Sequence, residues 1–289
     1  MLIRSILNIP SNSPKMLLNA NTIPADVTLF DLEDGVAQDQ KLPARIMLQS
    51  FLSRGYFSGT AMVRINGVDT PHWQADLETV IPLPIAGILL PKMERAEDIL
   101  RVSEAISGIE TRHGIPAGSR MMLGTAESPL GVENAYACLS SCDRIVGCTF
   151  GSEDFAASMG IRRTSSNEEL SYARRHLVVA AKAAGKFAVD TVYTDVNDED
   201  GLRRMTQEAK MLGYIGKFII SPKQIAAVHE VFTPTPEELE HARQVVEKME
   251  EAKKVGKGIA VLNGKMIDLP VYQQALHTLE TARAAGIAV

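Results

Sequence analysis

The sequence predicts a (β/α)8 barrel of the TIM type followed by a C-terminal extension of helices and a hairpin that would act as a lid. Short apolar runs alternate with longer segments of helical periodicity. Eight such units fit within residues 1–232. The runs are continuously apolar, as strands of a parallel sheet covered by helices are. A doubly wound open sheet is the competing topology.

The elements follow in order. "SILNIP" (5–10) reads as a strand and "SPKMLLNAN" as a helix; "DVTLFDLE" (26–33) as a strand and "QKLPARIMLQSFL" (40–52) as a helix. "TAMVRIN" (60–66) and "AGILLPK" (86–92) are strands, the latter followed by a helix over 95–112. "RMMLGTAES" (120–128) is a strand, then the helix "GVENAYACL"; "RIVGCTFGSED" (144–154) is a strand, then a long helix through 171–185. "KFAVDTV" (186–192) and "GKFIISP" (216–222) are the last strands, each followed by a helix, over 198–213 and 223–232.

Residues 233–289 lie outside the barrel count. Thr235, Pro236 and Glu238 form a capping-box start for a helix to about Lys254. "GIAVLNGKMID" (258–268) reads as a hairpin turning at Asn263-Gly264, and a last helix covers about Val271 to Ala285. The expected division is a catalytic barrel over 1–232 and a lid over 233–289 that covers something or binds another subunit.

With 289 residues, 45% hydrophobic, 22% charged and a net charge of -5, the chain has an ordinary globular composition that argues against nucleic acid and acidic membrane surfaces. The apolar run of "MLIRSILNIPSNSP" is too short for a signal peptide, and nothing reaches the roughly 18–20 residues of a membrane span. Cys138, Cys142 and Cys148 read as reduced thiols of a cytoplasmic protein. Cys138 and Cys142 are at i,i+4 spacing with no histidine close in sequence, so core packing is favoured over zinc. Trp73 reads as packing.

In a parallel barrel, ligands bind at the C-terminal ends of the strands. Those ends carry Glu33 and Asp34, Arg64 and Asn66, Lys92, Glu127, Glu153 and Asp154, and Asp190. Carboxylates gathered from separate strands without histidine or cysteine suit Mg²⁺. Arg64 would be the fixed cation holding a carboxylate or a developing oxyanion. Taken one at a time, these residues have plain uses too: Glu33 and Asp34 in a turn or cap, Glu127 and Asp154 as helix caps, Arg64 as an ion-pair partner.

Together, "RSILNIPSNSPKM" (4–16), "FDLEDGV" (30–36), "VRIN" (63–66), "LPKMERAEDI" (90–99), "GTAESPLGVENA" (124–135), "FGSEDF" (150–155), "GKFIISPKQI" (216–225) and "LNGKMIDLP" (262–270) resemble the citrate lyase β-subunit-like proteins of the HpcH/HpaI aldolase superfamily. The resemblance spans nearly the whole chain. It implies a Mg²⁺-dependent barrel that makes or breaks a C–C bond beside a thioester carbonyl, with coenzyme A as part of the substrate. By motif, Glu127 and Asp154 would be the metal ligands, and Glu127 would also place substrate with Arg64, which would stabilise an enolate. Glu33 and Asp34 would hold metal-bound water or orient Arg64. Asp268 would be a catalytic carboxylate supplied by the neighbouring subunit of a homotrimer; without the resemblance it reads as a cap on the last helix. Arg4 and Lys15 match basic positions near the CoA phosphates, and the helix start in "PSNSPK" offers backbone N–H groups to anions.

The expected activity is cleavage of a malyl-CoA or citramalyl-CoA type substrate to acetyl-CoA and a 2-oxo acid. "SNSPKM" and "GSED" look like the free-standing CoA lyases, whereas "LNGKMID" looks like the citrate lyase subunit, which acts on a thioester of an acyl-carrier protein within a complex. A non-catalytic barrel is the third reading, and the presence of every expected ligand counts against it.

Overall fold

A computed structural model describes residues 2–164 and 166–289. Eight strands form one parallel sheet: β1 Ser5–Pro10, β2 Val27–Asp31, β3 Ala61–Arg64, β4 Gly87–Leu90, β5 Met121–Ala126, β6 Ile145–Phe150, β7 Phe187–Val189 and β8 Lys217–Ile219. The chain-order ladder runs from β1 to β7, and β8 pairs with β1. A parallel bridge between Asp190 and Lys217 joins β7 to β8 and closes the barrel, with the Asp190 N–H donating to the Gly216 carbonyl at 2.8 Å. The predicted barrel is therefore the observed fold.

Val27 and Leu29, Met62, Leu89, Leu123 and Val189 fill the barrel interior with Ile6. Their period-two spacing turns the intervening residues toward the surrounding helices. These helices are α1 Pro14–Asn19, α2 Lys41–Ser53, α3 Trp73–Val80, α4 Ala96–Arg112, α5 Pro129–Glu133, α6 Ala135–Leu139, α7 Ser152–Met159, α8 Ser171–Ala183, α9 Glu199–Leu212 and α10 Ile225–Phe232.

Three stretches differ from the sequence expectation, and at one of them the single helix read from "GVENAYACL" is two short helices, α5 and α6. The crossover between β3 and β4 contains α3, whose start at Trp73 is a short, weakly patterned stretch that the strand-first reading passed over. The strand expected over 144–154 ends at Phe150, and α7 begins at Ser152. Glu153 and Asp154 are thus first-turn residues of a helix, where acidic side chains favour the N-terminal end. Trp73 is buried beneath the Arg101 guanidinium, 4.9 Å from its ring centre, so packing accounts for it. Cys138 and Cys148 are buried thiols, pushed up by burial to about 11 and about 12.

Asp190, expected among the pocket carboxylates, is engaged elsewhere. It accepts from Lys217 Nζ at 2.6 Å and from Arg174 Nε at 3.0 Å, and Arg174 reaches Glu208 on α9 at 2.6 Å. Burial alone would raise the Asp190 carboxyl, but Lys217 and Arg174 hold it below its ordinary value. A folded-state pKa below the unfolded one contributes stability above about pH 4 that is lost as pH falls through the folded-state value. Asp190→Asn is expected to cost about 3–5 kcal/mol by leaving two buried cations short of a partner, and to flatten that acid limb. Thermal unfolding of both proteins between pH 3 and 7 checks this; equal melting temperatures at pH 7 would refute it.

Residues His229–Val289 form a second compact unit. α11 Pro236–Lys254 starts on the expected capping box, and α12 Leu269–Ala284 packs on it through Leu239, Val245, Met249 and Leu279. Between them β9 Ala260–Leu262 and β10 Lys265–Ile267 form an antiparallel hairpin. Its turn holds Asn263 and Gly264 at positive φ, the conformation such a two-residue turn demands.

Candidate active site

Strand parity sorts the charges of "FDLEDGV". Asp31 and Glu33 follow Val27 and Leu29 in phase, whereas Asp34 is out of phase and exposed. Asp31, fully buried, stands beside Arg64 in the β2–β3 register. The two form a bidentate pair: Arg64 Nε donates to Asp31 Oδ1 at 2.7 Å and Nη2 to Oδ2 at 2.6 Å. The N–H groups of Glu33 and Gly35 also donate to Asp31, at 2.8 and 2.9 Å. Burial would raise the Asp31 carboxyl, but Arg64 and these N–H groups hold it below the usual carboxylate range.

Arg64 Nη1 lies 3.2 Å from Glu33 Oε2. The guanidinium is held above its ordinary value because Asp31, Glu33 and Asp34 outweigh the effect of burial. Lys41, at the start of α2, pins the same loop: its buried Nζ donates to the carbonyls of Leu32 and Glu33 at 2.9 and 2.7 Å. Asn66 donates to Leu32 O at 3.0 Å and to Asp76 at 2.6 Å, tying β3 to the same turn.

Glu127 follows β5. Its Oε1 accepts from the Lys92 backbone N–H at 2.7 Å. Lys92 makes that contact from φ 50, left-handed backbone that is unusual for a lysine and is held by the surrounding loop. A Cβ on Gly151 would lie 2.6 Å from that of Glu127, so the loop entering α7 packs directly against this carboxylate.

The carboxylates act on one another. Burial, with the charges of Asp154 and Glu33, pushes Glu127 up to about 8. Burial, with Asp34 and Asp31, pushes Glu33 up to about 7 against the pull of Arg64. Asp154 is raised by burial and by Asp34, with Arg64 and Lys92 opposing. Glu33, Asp34, Arg64, Glu127 and Asp154 therefore lie close enough to act on one another, and burial with mutual repulsion biases Glu33, Glu127 and Asp154 toward their protonated forms. Such a site is poised to receive a cation or to shuttle protons.

Arg4 and Lys15 lie outside this cluster, and Asp268 belongs to the C-terminal unit. Lys15 is exposed on α1, just beyond the C-terminal end of β1. Arg4 precedes β1, at the opposite end of the strand, and its Nε and Nη2 donate to Asp26 at 2.9 and 2.8 Å. The structure does not bring Arg4 to the pocket, because the ion pair with Asp26 fixes it at the N-terminal ends of β1 and β2. Asp268, in the C-terminal unit, caps α12 by accepting from the Val271 N–H at 3.2 Å. The residue that sequence reasoning left out is Asp31. Its in-phase position on β2 was the signal that could have found it.

A parallel barrel with an arginine-anchored acidic pocket at the C-terminal ends of its strands defines an enzyme. The model of the HpcH/HpaI aldolase/citrate lyase family matches residues 4–222. The chain is 38% identical to the citrate lyase subunit beta of Leuconostoc mesenteroides subsp. cremoris, over 97% of this chain and 93% of that one. It is 35% identical to the mitochondrial citramalyl-CoA lyase of Rattus norvegicus, over 96% of this chain and 86% of that one. Among solved structures, the protein CitE from Mycobacterium tuberculosis in complex with magnesium, acetoacetate and coenzyme A is 29% identical, with a TM-score of 0.76 over 97% of this chain and 98% of that one. The chain belongs to the HpcH/HpaI aldolase/citrate lyase family and is a lyase of that type. Among the described residues, no helix is long and apolar enough to cross a membrane.

Proposed function

We propose that the chain is a Mg²⁺-dependent C–C lyase that cleaves a 3-hydroxyacyl-CoA of the malyl-CoA or citramalyl-CoA type to acetyl-CoA and a 2-oxo acid. The observation that carries this reading is the Arg64 fork locked by Asp31 near Glu127 and Asp154, two carboxyls that burial and neighbouring carboxylates raise above their ordinary values.

The donor set suits the metal. Among the described residues no three acidic, histidine or cysteine side chains form a cage. Glu127 and Asp154 would hold Mg²⁺ and leave its other positions to water and substrate oxygens, the habit of this ion. When bound, it would polarise the oxygens of the 2-oxo acid portion.

The rest of the work falls to the chain. The substrate hydroxyl gives its proton to a carboxylate. The C–C bonding pair leaves with the acetyl thioester as an enolate, and that carbon takes up a proton as acetyl-CoA forms. The negative oxygen of the enolate is held by Arg64, whose orientation is fixed before substrate arrives. Asp268 of a neighbouring subunit is the proposed proton-transferring carboxylate, with the barrel as catalytic domain, the C-terminal unit as lid and a homotrimer as assembly. Lys15 would meet a nucleotide phosphate of the coenzyme A.

A second reading, the β subunit of a citrate lyase complex acting on a carrier-protein thioester, is favoured by the 38% identity to such a subunit. Acetyl-CoA release from (S)-citramalyl-CoA and L-malyl-CoA, with Mg²⁺ and with EDTA, separates the two. Release that EDTA abolishes establishes the CoA lyase. No release from either thioester overturns these two substrates and transfers the assignment to the carrier-protein subunit or to another acyl group.

A further inference from the structure

The barrel interior contains a polar group that the site described above does not use. Asn8 lies on β1 in phase with Ile6, a residue of the interior apolar cluster, so its side chain faces inward. Its Oδ1 is buried and has no hydrogen-bond partner. A buried amide oxygen without a donor is costly, and native interiors seldom retain one without a use.

The register gives its height in the barrel. Along the ladder Asn8 pairs with Leu29, Leu29 with Met62, Met62 with Gly87 and Gly87 with Met121. In an eight-stranded barrel with a shear of about eight, a layer at constant height gains about one residue per strand, and alternate strands supply it. Two strands on from Asn8, the same height falls at Arg64; four strands on, it falls at Thr125. Through the pairs Thr125–Thr149 and Thr149–Val189 it falls at Thr191, two residues beyond the end of β7. The same rule applied one step lower returns Ile6, Met62, Leu123 and Val189, all members of the apolar cluster. Asn8, Arg64, Thr125 and Thr191 are therefore the layer on which the pocket rests.

Within that layer the other polar groups are engaged. Thr149 donates to Thr125 at 3.0 Å, Thr191 donates to Ser152 at 2.7 Å, and Arg64 is held by Asp31. The Asn8 oxygen remains.

We infer that Asn8 determines specificity at the floor of the pocket. Its amide hydrogen-bonds the substituent on the carbinol carbon of the acyl chain, so the favoured substrates give a 2-oxo acid with a hydroxyl- or carboxylate-bearing substituent rather than a methyl group. The inference rests on the lyase reading but moves its substrate away from malyl-CoA and citramalyl-CoA, whose carbinol carbons carry hydrogen and methyl, because either substituent leaves the Asn8 amide unpaired. An amide can turn about its last bond to present oxygen to a hydroxyl or N–H to a carboxylate.

The test uses the full chain with Mg²⁺, comparing wild type with Asn8→Leu, close to it in shape, and with Asn8→Thr, which keeps a hydroxyl. Cleavage is measured on hydroxyacyl-CoA substrates whose carbinol carbon carries hydrogen, methyl, hydroxymethyl or carboxymethyl. Calorimetry measures binding of glyoxylate, pyruvate, hydroxypyruvate and oxaloacetate. The expected result is that wild type prefers the polar substituents and that Asn8→Leu shifts the polar-to-methyl ratio by about 10–100-fold toward methyl, with no fall in melting temperature. Asn8→Thr should fall between them. Polar-to-methyl ratios within twofold of wild type in both variants would overturn the inference. If wild type cleaves none of the thioesters the CoA-lyase reading fails, and the 2-oxo acid binding ratios alone then decide whether Asn8 selects the substituent.

Discussion

Arg64→Lys is expected to lower kcat by about 10²–10³-fold, the range seen when a preorganised donor to a developing oxyanion is removed. The formal charge is unchanged, so the loss measures geometry. Arg64 presents three nitrogens to two carboxylates, two of them in a parallel fork on Asp31 at 2.7 and 2.6 Å and the third 3.2 Å from Glu33. A lysine offers one mobile ammonium and cannot meet both carboxylates in that geometry. Asp31→Asn tests the same device from the other side. An asparagine can accept along only one arm of the fork, and its amide hydrogens oppose the remaining Arg64 and Gly35 N–H groups. Its expected cost is about 3–5 kcal/mol of stability, because a largely buried guanidinium loses its partner, together with a fall in kcat. Steady-state kinetics on the cleaved thioester and thermal unfolding check both. A lysine variant with kcat within threefold of wild type would remove Arg64 from the chemistry and leave it a structural cation.

Much of this was legible in the sequence, for identifiable reasons. The barrel was readable because parallel strands buried on both faces are continuously apolar, and eight of them in succession leave few topologies. The clustering of Glu33, Asp34, Arg64, Glu127 and Asp154 followed from where charge interrupts those runs. Other features were hidden because they depend on registration between strands rather than on order along one. Asp31 becomes the partner of Arg64 only when β2 is aligned with β3. Asp190 stands at a strand end like Glu127, yet β8 and α8 supply Lys217 and Arg174 to neutralise it where it cannot join the pocket. Arg4 was misplaced because a basic residue beside a motif says nothing about which end of the strand it occupies. The Lys92 N–H that fixes Glu127 is a backbone group, which no residue pattern announces.

Glu127→Gln is expected to abolish Mg²⁺ binding and lower kcat by at least about 10³-fold, yet to raise the melting temperature of the metal-free protein by about 2–4 °C. The two effects have one cause. The Glu127 carboxylate is buried, and the charges of Asp154 and Glu33 oppose its ionisation, which places it at about 8 instead of its ordinary value. A glutamine keeps the shape, and its Oε1 still accepts the Lys92 N–H, while at neutral pH the cost of holding protonated a carboxyl that is ionised in the unfolded chain is gone. This is the trade expected where an active site holds charges against its own stability for the sake of a ligand. The ligand should reverse the order. At a Mg²⁺ concentration about 100-fold above its dissociation constant, wild type gains about 2.7 kcal/mol and overtakes the variant. Asp154→Asn should also lose that gain, with a smaller rise in the metal-free melting temperature because Asp154 is exposed. Thermal unfolding with and without MgCl2, which needs no substrate, reads all of this. Equal Mg²⁺-induced shifts in wild type and both variants would place the metal elsewhere, and a metal-free Glu127→Gln less stable than wild type would show that its ionised carboxylate is a structural asset.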